Sequence, residues 1–230
     1  MIKLSASSIK DYLSCPNKFY FRTVAQKGDE ELAIQTPEMQ AGTIVHKIIE
    51  TCWNRELEGR KTGIRMSKDL PDNMKERVDR CLNNFYKMRV LELNKYDYIE
   101  RRFSIPYSSP IEYRIVGMFD RVSLKNNCMW DWKTGEEYVK NIDNDIQFII
   151  YYNSYVNLYG KKPDALFYVS LYYNRLIRFN YKKSLTDELY NEIIPSMLTS
   201  IKKELFYRKG IFDRANTCNY CSYKKICLGE

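Results

Sequence analysis

The chain is short of several things that would have placed it at once. No window approaches the ~18 consecutive apolar residues a membrane span needs, and the opening Met1-Ile2-Lys3-Leu4-Ser5-Ala6-Ser7-Ser8 has no apolar signal core. A soluble, cytoplasmic protein with no membrane partner is expected. Internal repeats and low-complexity tracts are absent, which sets aside solenoids and biased linkers. The pattern G-x-x-x-x-G-K-[ST] is missing as well, so this chain cannot itself drive unwinding by nucleotide hydrolysis. Histidine occurs once, at His46, and a lone histidine is most often a surface or satisfied polar residue.

Acid is in deficit: 29 Asp and Glu stand against 37 Lys and Arg, a net charge of +8. That excess favours an anionic partner, nucleic acid first, and leaves the fold open. Apolar and aromatic material is plentiful. The 230 residues are 44% hydrophobic and 14% aromatic, enough for one sizeable core, and a single domain over 1–230 is expected. The tyrosines interleaved with cations, as in Tyr172-Tyr173-Asn174-Arg175, suit strand and core packing and can also stack on unpaired bases. Seven cysteines in a reducing compartment argue against a disulfide framework and for metal ligation by some of them.

Ser7 to Leu13 reads as a short helix with a serine cap, stopping before Cys15-Pro16. Ile44, Ile48, Ile49 and Cys52 mark the apolar stripe of a second helix, about 43–58, and Val78, Cys81, Leu82 and Phe85 that of a third, reaching about Leu93. A loop over 59–75 separates them. From Tyr98 the period falls to two: strands are expected at 98–106, 111–124 and 128–133, with turns at Ser108-Ser109-Pro110 and Lys125-Asn126-Asn127. A helix at 143–159 and strands at 165–172 and 176–181 follow. A long helix from Leu185 to about Arg208 comes last, kinked or divided at Pro195, with Leu189, Ile193, Met197, Ile201 and Leu205 inward. This order indicates an α/β fold, a central mixed sheet flanked by helices. Its parts are helical over about 1–95, a core over about 96–183, and a helix with a cysteine cluster over about 184–230.

The stretch Cys128-Met129-Trp130-Asp131-Trp132-Lys133-Thr134-Gly135 concentrates the chemistry. On a strand, Cys128, Trp130 and Trp132 share one face, while Met129, Asp131 and Lys133 share the other. By itself this describes a half-buried strand with an exposed ion pair, worth at most about 1 kcal/mol. The preceding strand adds Asp120. In a hairpin Asp120 can face Asp131 within roughly 5 Å, and two opposed carboxylates repel unless positive charge lies between them. A divalent cation supplies that charge, and oxygen ligands suit Mg2+ or Mn2+. Lys133 then lies close enough to approach a phosphate oxygen or a bound water. Gln147 and Tyr151, four apart on a helix, are by themselves an ordinary polar edge.

At the C-terminal end Cys218, Cys221 and Cys227 form C-x2-C-x5-C among polar neighbours. Three thiols so placed are poor core filler. Cys15 is the candidate fourth ligand, because Cys52, Cys81 and Cys128 lie on apolar faces. Four thiolates suit Zn2+ or an iron–sulfur cluster, and the one-plus-three spacing disfavours zinc, whose sites commonly combine two close pairs.

The ordered set Gly42-x-x-x-His46, Gly117-x-x-Asp120-Arg121, Asp131-x-Lys133-Thr134-Gly135 and Gln147-x-x-x-Tyr151 resembles the RecB-like branch of the PD-(D/E)XK nucleases. The resemblance implies a restriction-endonuclease-like fold and metal-dependent hydrolysis of DNA phosphodiesters, at single strands or ends. It also implies that His46, Asp120, Asp131 and the backbone carbonyl of Trp132 hold the metal, that Lys133 orients or activates water, and that Gln147 and Tyr151 support the site or contact DNA. The cysteines are similar to the [4Fe-4S] staple of AddB-type nuclease domains and CRISPR-associated adaptation nucleases. Ser5 to Ile9 leading to Cys15-Pro16, and Gly210-Ile211-Phe212 leading to Cys218, carry that likeness further. A helicase or other DNA-processing protein is an expected partner, and a noncatalytic assembly subunit is the alternative.

Overall fold

The computed structural model describes residues 1–25, 36–57, 71–88, 96–108, 111–137, 139–208, 218 and 221–229, with the side chains of 53–57 left out. Most of the expected loop (59–70), the end of the third helix (89–95), Ser109-Pro110 and the Gly210-Ile211-Phe212 lead lie outside these residues.

Six strands form one mixed sheet: β1 (Ile2–Leu4), β2 (Asp97–Ser108), β3 (Glu112–Ser123), β4 (Cys128–Lys133), β5 (Ala165–Ser170) and β6 (Arg175–Arg178). β2 pairs antiparallel along the whole of β3 and so takes one of its two edges. β1, parallel to β3 at Tyr113–Ile115, and β4, antiparallel at Arg121–Ser123, must share the other edge. Between them residues 116–120 have no strand neighbour on that second edge, which leaves a notch in the sheet. β4 continues parallel to β5, and β5 antiparallel to β6.

Helices cover both faces. On one side α3 (Pro37–Leu57) and α4 (Asp72–Lys87) pack Val45, Ile49, Val78 and Cys81 against Trp130, Trp132 and Val169. The other side holds α1 (Ala6–Ser14), α2 (Pro16–Phe19), α5 (Ile146–Tyr159), α6 (Lys183–Glu188) and α7 (Ile194–Lys203), where Ile9, Phe148, Tyr155 and Met197 pack on Ile115, Phe119 and Met129. A further short helix, α8 (Lys224–Leu228), lies near the C-terminal end. No helix among the described residues is long and apolar enough to cross a membrane.

Local chemistry sets the boundaries. The cap of α1 is Ser5 rather than Ser7, because Ser5 and Ser8 exchange side-chain and backbone hydrogen bonds as a capping box. α3 begins six residues earlier than the expected start at about 43, from Pro37, a residue suited to a first helical turn. The last long helix is interrupted by a wide turn at Leu189–Ile193, and Pro195 sits in the first turn of α7, where its missing N–H is harmless. Leu205, expected inward, is 62% exposed, since α7 ends at Lys203 and its cap, Glu204, has a left-handed φ of 54°. Strand β1 was not expected; only Leu4 of its three residues is fully buried.

Candidate active site

Asp120 occupies the last position of the notch. The β3–β4 ladder ends with Arg121 opposite Trp130, so Asp120 faces Asp131 one step beyond it. On the other side Ile99 pairs with Arg121 and Arg101 with Phe119, which sets Glu100 opposite Asp120. Glu100 has φ 52°, a left-handed conformation that is uncommon away from glycine and costs on the order of 1–3 kcal/mol. Three carboxylates therefore stand at one level of three adjacent strands.

From α3, His46 Nδ1 lies 3.1 Å from Glu100 Oε1 and 3.7 Å from Asp120 Oδ1. One ligand atom each from His46, Glu100 and Asp120 falls within 4.8 Å of the others. Gly42, a turn earlier, lets α3 come this close: a Cβ there would stand 3.0 Å from Thr134 Oγ1 at the end of β4.

Asp120 Oδ2 accepts the Trp132 backbone N–H at 2.6 Å. A strand residue's N–H and C=O point to the same edge, so the Trp132 carbonyl faces the notch too. Asp131 is 1% exposed. Its Oδ1 accepts from Gln147 Nε2 at 3.0 Å, while Oδ2 lies 2.8 Å from the Lys133 ammonium but outside hydrogen-bonding geometry. Lys133 donates to Gln147 Oε1 at 3.1 Å. Gln147 Nε2 also reaches the Tyr151 hydroxyl at 2.9 Å, and that hydroxyl donates to the Met118 carbonyl at 2.6 Å, inside the notch. Asp145 caps α5 by accepting the Gln147 N–H at 2.7 Å, which fixes where the amide projects.

Gly117 has its own steric reason. Phe103, opposite it on β2, lies across the glycine, and a Cβ would meet the ring at 2.4 Å. That ring stacks on Phe119 and meets Tyr151 edge-on, at centroid distances of 4.5 and 6.0 Å, so Gly117 indirectly seats Tyr151.

Electrostatics match the crowding. Burial and the neighbouring Asp131 charge raise Asp120 to about 7, despite His46 and Lys133. Burial also raises Asp131, against the lowering effect of Lys133. Burial of His46 would lower it, but the Glu100 hydrogen bond and the surrounding carboxylates outweigh that and lift it to about 9. Lys133 behaves alike: burial opposes its charge, and Asp131 and Asp120 prevail to raise it. The site holds too much negative charge for its own cations.

The expected face of Asp131 and Lys133 is thus covered rather than exposed; both faces of β4 are packed, because helices lie on each side of the sheet. The structure brings His46, Asp120, Asp131, Trp132, Lys133, Gln147 and Tyr151 together at the notch. Glu100 was missed. Counting back along the β2–β3 hairpin from Ser108 opposite Glu112 reaches Glu100 opposite Asp120, so the signal lay in the register.

The PD-(D/E)XK nuclease superfamily profile matches residues 3–228. The chain belongs to that superfamily. Its membership makes it a member of a group of metal-dependent nucleases, and the mixed sheet flanked by helices agrees with a restriction-endonuclease-like fold. No curated protein matches the sequence. The solved structure of SSO0001 aligns with a TM-score of 0.46 at 11% identity, covering 99% of this chain and 86% of that one. The fit of this PD-(D/E)XK centre to a divalent cation rests on its own atoms: a buried Asp131 oxygen without a hydrogen bond, and a hard donor set of carboxylates with one imidazole.

A group of thiols lies apart from these acids. Cys15, Cys218, Cys221 and Cys227 line one cavity with Lys18, Arg208 and Lys224. All four are free thiols, and Asn17 Nδ2 donates to Cys227 Sγ at 3.0 Å. Burial raises Cys221, with Lys18 acting in the opposite sense. Cys52 and Cys81 are core residues between α3 and α4, and Cys128 is half-buried against the same cluster.

Proposed function

We propose that this PD-(D/E)XK protein is a deoxyribonuclease of the RecB-like branch, acting at single strands or ends, with residues 1–230 as one nuclease domain. The observation that carries this reading is the convergence of four sequence-distant segments on one notch, where Asp120, Asp131, His46, Lys133 and Gln147 meet. A binding module has no use for buried, mutually repelling carboxylates.

His46, Asp120, Asp131 and the Trp132 carbonyl would hold Mg2+ or Mn2+, and Glu100 joins them by position. Such a cation polarises a phosphoryl oxygen and lowers the pKa of its water. Lys133, with its pKa raised, is an ammonium at neutral pH and therefore a positive donor to the phosphate or to water, not a proton acceptor. Gln147 holds Lys133 and Asp131 in one orientation, and Tyr151 holds Gln147.

The four thiols fit a [4Fe-4S] cluster as a structural staple of the AddB type. They line one cavity beside Lys18, Arg208 and Lys224, and their one-plus-three spacing departs from the two close pairs common at zinc sites. A helicase or other DNA-processing protein is the partner this reading implies, since the chain has no P-loop of its own.

Incubation with end-labelled single- and double-stranded DNA and Mn2+ or Mg2+ tests the reading. Cation-dependent cleavage that vanishes in Asp131→Ala supports it. Binding without cleavage under any divalent cation would leave the noncatalytic assembly subunit in its place.

A further inference from the structure

A cleft of about 490 Å3 opens between the far end of the β2–β3 hairpin, the outer edge of α5 and the α6–α7 segment. Its centre is well away from the acids, for Tyr107 lies seven residues along β2 from Glu100, about 24 Å of strand. In a chain of net charge +8, none of the described side chains lining it is charged. Tyr107 and Tyr113 form a directly opposed cross-strand pair with rings stacked at 5.0 Å and 9° between planes. Tyr113 is only 4% exposed and serves as the floor, while Tyr107 is half-buried above it. Tyr190 closes the aromatic corner at 5.5 Å from Tyr107.

Amides form the opposite wall. Asn153 donates its N–H groups to the Ile149 carbonyl and Thr186 Oγ1, and Asn157 donates to the Asn153 carbonyl. Their side-chain oxygens accept nothing among the described residues, and Asn191 adds a further amide at the rim. Flat aromatic surface beside neutral acceptors, without a cation, suits neither a phosphate nor an acidic peptide. It suits a planar heterocycle bearing N–H donors.

We infer that this cleft binds an unpaired nucleobase of the nucleic-acid strand, stacked on Tyr107 and hydrogen-bonded to the side-chain Oδ1 atoms of Asn153 and Asn157. The inference rests on the nuclease reading and deepens it, because a base can enter only when unpaired. The cleft thereby selects single strands several nucleotides from the cleaved bond, and a substrate too short to span the interval does not feel it.

The test uses the full chain and a fluorescent oligo(dA) of about 12 nucleotides, bound in EDTA so that nothing is cut. Tyr107→Ala weakens binding about tenfold, within the range that loss of one stacked base produces. Tyr107→Phe keeps the ring and binds as the parent does. Asn157→Leu weakens binding about threefold. Hydrolysis of bis(p-nitrophenyl) phosphate with Mn2+, too small to reach the cleft, is the same in Tyr107→Ala and parent. Parent-like oligo(dA) binding by both Tyr107→Ala and Asn157→Leu overturns the inference, as does a Tyr107→Phe protein as weak as Tyr107→Ala. A parent that hydrolyses neither DNA nor the small diester sinks the nuclease reading instead, and the binding results still judge the cleft.

Discussion

At the notch in the sheet each acidic side chain sits on a strand whose register fixes it, whereas the four cysteines come from helix boundaries, short turns and the five-residue α8. Glu100, Asp120 and Asp131 are set opposite one another by two ladders, and their helix partners are seated by Gly42 and the Asp145 cap. Around the thiols the described ties are few: the Asn17 N–H to the Tyr207 carbonyl at 3.2 Å, Asn17 to Cys227, and Phe21 stacked on Tyr223 at 5.9 Å. Neither core cluster includes a residue of α8. The fold holds the acids together against their own repulsion, and a group bound by the thiols would hold that part of the fold together. Loss of a ligand should therefore have opposite consequences in the two places.

The largest contrast is expected in catalysis. Asp120→Asn and Asp131→Asn should each lower divalent-dependent cleavage by at least about 100-fold, the scale for removing one preorganised electrostatic group. In EDTA neither should lose thermal stability, because each relieves a buried like-charge contact. An Asp131→Asn protein that melts several degrees lower yet still cuts would break the comparison on the acidic side.

Stability should show the reverse pattern at the cysteines. On the cluster proposal, Cys15→Ser, Cys218→Ser, Cys221→Ser or Cys227→Ser should each abolish iron binding and cost about 2–5 kcal/mol, the range for losing a long-range crosslink. Cys52→Ser should keep the iron. Metal analysis of anaerobically purified variants, with melting curves alongside, gives both readouts, and stoichiometric zinc in place of iron would refute the cluster.

The strands and the acidic centre were legible because a half-buried strand must alternate and a hairpin must keep register. β4 coincides with the 128–133 reading, and the turn 124–127, one residue longer than the expected Lys125-Asn126-Asn127, is what sets Asp120 opposite Asp131. β1 was not legible: three residues leave no period to detect, and they pair with β3 more than a hundred positions away. Glu100 was hidden by its company, since Glu100-Arg101-Arg102 reads as solvated charge unless the hairpin is counted back. The joint lining of one cavity by Cys15 and the C-terminal thiols was only an elimination in the sequence; the backbone between carries no sign of where its ends meet.

Gly117→Ala should have an intermediate effect, because the notch depends on packing as well as charge. A Cβ at 2.4 Å from the Phe103 ring must displace that ring, at a cost of about 1–3 kcal/mol, and with it the aromatic bed of Tyr151. Cleavage should fall more than melting temperature does, and the double variant with Phe103→Leu should recover part of both.

The smallest effect concerns protons. Asp120 is raised to about 7 from an ordinary value near 3.8, so the cation-free fold binds its proton more tightly than the unfolded chain does, and that stabilisation is lost as pH rises from about 4 through 7. His46 is raised from 6.5 to about 9; its contribution is complete below 6.5 and lost as pH rises through 9. Both groups therefore make the cation-free protein less stable between weakly acidic and alkaline pH. A divalent cation competes with these protons, so its stabilisation should be small near pH 5 and larger near pH 8, approaching ~2.7 kcal/mol at a hundredfold excess over its dissociation constant. For a chain of this size that is on the order of 5–10 °C. Glu100→Gln should shrink the Mg2+-induced rise at pH 8, since it removes one of the clustered ligands. Melting curves with and without Mg2+ at both pH values decide the matter. A rise equal at the two pH values, or unchanged in Glu100→Gln, would mean the cation binds away from the notch.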